Sequence, residues 1–135
     1  MSIGIGGSAR MVMQDADTII YEYYAYDLNE DVYRNPEHEF DGIISIDKHA
    51  LIEPEIHEKI KKQPNGKKKL ITKRIRRDVD YISRISLGQI RVENSKFCWK
   101  ILDNGVGLIA MRLIHQIFDL YQDEGKIPQI IGYHV

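Results

Sequence analysis

This 135-residue chain has one cysteine, Cys98, one tryptophan, Trp99, and four prolines. A lone thiol excludes an internal disulfide and fits a reducing compartment. No apolar run approaches the roughly 18–20 residues that span a bilayer, so no membrane contact is expected. The first ten residues lack a basic stretch followed by an apolar one. No secretory signal is therefore expected, and the cytoplasm is the expected location. Gly-x-Gly near the start is not followed by a helical pattern, which removes the dinucleotide-loop reading. No catalytic constellation stands out. Glu53 with His57 and His115 with Asp119 are each spaced to share one helical face as two ligands, but a metal site would need the pairs to meet or a third ligand; surface polar pairs account for them, and no metal and no cofactor is expected.

One further absence is local. From Lys59 to Arg77 there is no acidic residue, and there are ten Lys or Arg. The segment before it, Met1 to Glu58, is the reverse, with 13 Asp or Glu against three Lys or Arg. The remaining residues are nearly balanced, so a formal net charge of −1 conceals two poles. Such segregation suits binding to a partner of complementary charge.

The elements follow from periodicity. Met11–Met13 and Ile19–Leu28 read as strands joined by a turn at Asp15-Ala16-Asp17. The second puts Ile19, Tyr21, Tyr23 and Ala25 on one face and Ile20, Glu22, Tyr24 and Tyr26 on the other. Both faces are largely apolar, which predicts a central or doubly covered strand. Residues 29–41, polar and acidic, predict an exposed loop, followed by a strand over Gly42–Ile46. A short helix is expected over about 53–63, with Pro54 at its first position and Gln63-Pro64-Asn65-Gly66 ending it. A longer one is expected over about 67–86, from Ile71, Ile75, Val79, Ile82 and Ile85 in steps of four, four, three and three. Two strands, Gln89–Glu93 and Phe97–Leu102, should precede a second long helix over about 106–123, with Ile109, Leu113, Ile117 and Leu120 inward. A final strand is expected over Gln129–Val135. Together these give an α+β fold as one domain over 1–135: a mixed, mainly antiparallel sheet against two longer helices and one short one, with residues 1–8 flexible. Ile71, Ile75, Val79 and Ile82 are expected to share a core with Leu113 and Ile117.

Three functional readings compete. The leading one is a non-enzymatic protein-binding domain, in its sharper form an immunity- or antitoxin-like protein that covers the basic active site of a toxin. Its contact surface would be the acidic, tyrosine-rich half: Tyr24, Tyr26, Glu30, Asp31, Tyr33, Glu37 and Glu39. The second reading is a nucleic-acid-binding or regulatory module. It would use an anion site at the start of the basic helix, formed by Lys67, Lys68, Lys69, Lys73 and Arg76. Against it stand a pI of about 6.5 and a basic segment without aromatics. An acidic half would also repel a polyanion unless it lay on the far side. The third is a small phosphodiester-cleaving enzyme combining Arg112 and His115 with Lys73 or Arg76. Ordinary solvated charge and sheet packing would account for the same residues: Arg74 and Arg76 could pair with Asp78 and Asp80. Cys98 is expected as a packed thiol and Trp99 as a core anchor.

Overall fold

The computed structural model describes residues 3–135; Met1 and Ser2, part of the segment expected to be flexible, lie outside the described residues. Ile5–Ser8 of that segment instead open the first strand, with Ile5, Gly6 and Gly7 buried. In chain order the elements are β1 (Ile5–Gln14), β2 (Thr18–Asp27), β3 (Gly42–Asp47), β4 (Glu55–Lys62), β5 (Lys68–Ile75), α1 (Tyr81–Ser86), β6 (Ile90–Glu93), α2 (Leu108–Glu124) and β7 (Ile130–His134). Short 3-10 turns occupy Asp31–Tyr33 and Lys48–Ala50.

Five strands form one sheet in the order β6-β3-β2-β1-β7, antiparallel at every junction. β2 is its centre, as two apolar faces require. The β1–β2 turn forms because the Asp15 carboxylate accepts the N–H groups of Asp17 and Thr18, each at 2.8 Å. One sheet face carries Ala9, Ile19, Tyr21, Tyr23, Ile44 and Ile46, all buried against α2. α2 answers with Ile109, Leu113, Ile114, Ile117 and Phe118, a stripe at helical spacing. Gly7 sits where the sheet and helix are tightest: an added Cβ would lie 2.1 Å from the Tyr24 carbonyl oxygen and 2.7 Å from Ile109 Cγ2. No helix among the described residues is long and apolar enough to cross a membrane.

The fold is α+β with one long helix, and the two other expected helices require correction. Within these spans Glu55–Lys62 and Lys68–Ile75 form β4 and β5, a separate antiparallel pair, and only Tyr81–Ser86 is helical. Gln63-Pro64-Asn65-Gly66 is therefore a hairpin turn rather than a helix stop. Gln63 N–H donates to the Lys67 carbonyl at 2.7 Å, and Gly66 takes the left-handed conformation (φ 81°) that such a turn demands. Ile71 and Ile75 are four apart, and an even spacing keeps one strand face as readily as one helix face. β-branched Ile56, Ile60, Ile71, Thr72 and Ile75 favour the strand. Ile71, Ile75 and Ile82 are exposed rather than in the shared core; Val79 alone of that set packs against it. The expected strand at 97–102 reduces to one bridge, Ile101 with Gly107, and Trp99 is 45 % exposed instead of a core anchor. Cys98 is a packed thiol whose Sγ–H donates to the Lys100 carbonyl at 3.2 Å.

Candidate functional site: a basic hairpin arm

The β4–β5 hairpin is exposed along its whole length, every residue of both strands included. Its register sorts the side chains onto two faces. One face carries Ile56 opposite Arg74, then Glu58 opposite Thr72, Ile60 opposite Leu70, and Lys62 opposite Lys68. The three aliphatic side chains are 51 %, 65 % and 58 % exposed. The other face carries His57, Lys59, Lys61, Lys69 and Lys73 beside Ile71 and Ile75. Lys67, at the turn, donates its N–H to the Asn65 side chain at 3.0 Å. The five residues expected as an anion site at a helix N-terminus therefore share no helix. Lys67, Lys68, Lys69 and Lys73 are spread along the arm, and Arg76 lies beyond it.

The root of the arm is held by α2. Arg74 Nε donates to the Gln122 carbonyl at 2.9 Å. The Gln122 side chain, buried in α2, closes a reciprocal pair with the Arg77 backbone: its Oε1 accepts N–H at 2.7 Å and its Nε2 donates to C=O at 2.9 Å. Arg76 makes a two-pronged bond to Asp123, at 2.8 and 2.5 Å, and approaches Asp119 at 3.4 Å. These contacts replace the expected Arg74–Asp78 and Arg76–Asp80 pairs. They also take Arg76 out of any anion site, because two carboxylates already face it in a pocket of ≈ 260 Å³ shared with Gln116 and Leu120. Asp123 is held below the ordinary carboxylate range by its bonds to Arg76.

Of the residues read as a phosphodiester-cleaving site, Arg76 is engaged by Asp119 and Asp123, and Lys73 lies on the exposed arm. Arg112 lies over the Tyr133 ring at 5.9 Å, while His115 stacks on Tyr81 at 4.2 Å. Residues 53–57 are not helical, so Glu53 and His57 share no helical face: Glu53 accepts the Tyr121 hydroxyl at 2.5 Å and His57 pairs with Glu55 at 2.8 Å. Among the described residues no group of three or more His, Cys, Asp or Glu is placed to hold a metal ion.

His115 has a pH signature of its own. Burial pushes its pKa below the ordinary 6.5, with Arg112 adding to the shift and Asp119 opposing it. The unfolded chain then binds a proton that the folded chain refuses. Stability should therefore be complete above about pH 6.5 and fall as the pH drops toward the lowered pKa. Urea midpoints between pH 5 and 7.5 should show this decline, and His115→Phe should flatten it. An unchanged slope in the variant would assign the effect to other groups.

The acidic half is partly consumed by packing. Tyr24, expected at the contact surface, is buried beneath His38, stacked at 4.6 Å, and Phe40, edge-on at 4.9 Å. Tyr26 is half-buried and bonded through its hydroxyl to His134 Nδ1 at 2.9 Å. Tyr33 is half-buried in its 3-10 turn. Glu30, Asp31, Glu37 and Glu39 are exposed; Asp31 pairs with Arg34 at 3.0 Å and Glu39 with Lys96 at 3.4 Å. Topology separates the acidic 29–41 loop from the arm, although Asp15, Asp17, Asp47, Glu55 and Glu58 lie toward the arm. Asp27, where β2 ends, leads into the acidic loop, while Thr18, where β2 begins, pairs with Asp47, from which the chain runs to the arm.

Comparison of the chain with protein-family models, curated proteins and solved structures returned no match.

Proposed function

We propose that the chain is a non-enzymatic protein-binding domain whose contact element is the β4–β5 arm. One observation carries this: Ile60 and Leu70 form an uncovered aliphatic pair flanked by Lys62 and Lys68, with Ile56 further along the same face beyond Glu58 and Thr72. An apolar centre inside a charged rim is the usual anatomy of a protein interface. A two-stranded ribbon is marginally stable alone, so covering its apolar face also stabilises the arm. The partner that fits is a protein with an apolar depression edged by carboxylates. The immunity- or antitoxin-like role remains a narrower version of this proposal, with the charge of the blocked toxin surface reversed from basic to acidic. The acidic half is the less favoured contact, because Tyr24 is buried and two of its four carboxylates hold cations.

A photo-crosslinker at position 60 would identify the partner, and binding kinetics would then test the role of the arm. Ile60→Ala and Leu70→Ala should each speed dissociation about 30-fold or more, the roughly 2 kcal/mol of a hot spot. Changing Lys67, Lys68 and Lys69 together to Gln should mainly slow association and weaken its salt dependence. Parental rates for all of these, with binding lost on neutralising Glu30 and Glu37, would move the contact to the acidic half. Tight binding of duplex nucleic acid by the parent, with a steep salt slope that the triple lysine variant flattens, would replace this reading with the nucleic-acid one.

A further inference from the structure

The register of the arm opposes like charges. Lys61 stands directly across from Lys69, and Lys62 from Lys68. Such pairs destabilise an antiparallel ribbon, and no acid lies between Glu58 and Asp78 to relieve them. A departure from the local rule of this kind is expected where a site is made for an anionic partner.

The other pole has the same anatomy with the charge reversed. In the turn that follows β2, Leu28 and Val32 are 52 % and 78 % exposed, beside the exposed carboxylates of Glu30, which no ion pair among the described residues engages, and Asp31, which is paired with Arg34 at 3.0 Å yet stays open to solvent. Ile3, also exposed, is tied to this turn through its carbonyl, which accepts the Asn29 side-chain amide at 2.9 Å. Aliphatic side chains bordered by carboxylates are what the arm's patch bordered by lysines would complement. The arm and the turn leave from opposite ends of the ten-residue β2, about 30 Å apart at roughly 3.3 Å per residue. That is nearly four Debye lengths of about 8 Å at physiological salt, so the roots of the two elements interact little within one molecule.

We infer that a second copy of this chain is a partner of the arm: the β4–β5 hairpin of one protomer docks on the Leu28–Val32 turn of the next, head to tail. This rests on the reading of the arm as a contact element. Arm-to-arm pairing is disfavoured because it sets lysines against lysines. A head-to-tail contact leaves one arm and one turn free at the ends, so it propagates or closes into a ring.

Sedimentation of the full chain tests this. At low salt, roughly 20 mM, the weight-average mass should rise above 15.7 kDa with protein concentration, and at about 500 mM salt it should return to the monomer. An arm variant with Lys61, Lys68 and Lys69 changed to Gln, and a turn variant with Glu30→Gln and Asp31→Asn, should each be monomeric while keeping the parental circular dichroism. Mixed in equal amounts they should form a 1:1 dimer, because each supplies the pole that the other lacks. A parent that stays monomeric at low salt, a mixture that does not dimerise, or an arm variant that assembles like the parent would each overturn the inference. A monomeric parent whose Ile60→Ala variant still loses a crosslinked protein would overturn self-association alone and leave the proposed function standing.

Discussion

Leu113→Ala should lower the unfolding free energy by about 2–5 kcal/mol, the range for a large-to-small change in a closed core. Leu113 lies on the sheet-facing stripe of α2 and has no exposed surface. Its neighbours, Ile109, Ile117 and the buried sheet residues, are held by a helix on one side and by strand hydrogen bonds on the other, so they cannot collapse fully into the space left. Ile60→Ala in the arm, where the side chain is 65 % exposed, should change stability by less than about 0.5 kcal/mol. The contrast also makes Ile60→Ala a clean binding probe. Urea unfolding of both variants is the check, and a Leu113→Ala cost below about 1 kcal/mol would mean that the helix–sheet contact is not the main core. Leu113→Asp should be worse, since a buried carboxylate there has no partner.

Gly7→Ala should be at or above the top of the about 1–3 kcal/mol expected for overpacking. The new Cβ would meet the Tyr24 carbonyl oxygen at 2.1 Å, which is main chain in the paired strand, and Ile109 Cγ2 at 2.7 Å. A flexible side chain could swing away, but a carbonyl held in the β1–β2 ladder cannot move without parting the strands. Loss of soluble protein or a sharply lowered melting temperature should follow. A second alanine variant at Gly88, where an added Cβ would meet nothing, serves as a control for space alone. Its positive φ of 76° still imposes backbone strain, which bounds how small the control's effect can be.

These two positions also show how far the sequence could be read. Leu113 was legible because Ile109, Leu113 and Ile117 repeat at one helical face and Gly125 marks the end. β2 was legible because alternation and tyrosine density make a strong strand signal. Ile71 and Ile75 misled because a step of four satisfies both periods, and the local arbiter, Asn65-Gly66 between two β-branched runs, was assigned to a helix end. Arg76 was out of reach for a different reason: Asp119 and Asp123 come to it from more than 40 residues away, after the chain has turned through α1 and β6. Tyr24 required the loop to fold back and set His38 on its ring, a contact that no pattern within β2 encodes. The charge poles were visible as composition. That the 29–41 loop and the arm leave from opposite ends of β2 came only from strand pairing.

The clamp between Gln122 and the Arg77 backbone has a consequence for how this molecule can change over generations. It fixes the root of the arm by main-chain bonds and one buried amide. Beyond that root, no residue from Glu55 to Arg74 is buried in the body. Substitutions along the arm can therefore alter which partner is held while leaving the stability of the α2–sheet core almost untouched. Substitutions in the core are filtered by folding, and, if the arm is the contact element proposed above, those in the arm by recognition alone. A lineage built this way can retune its partner choice one arm residue at a time, without first accumulating the surplus stability that new contacts in a packed region would demand.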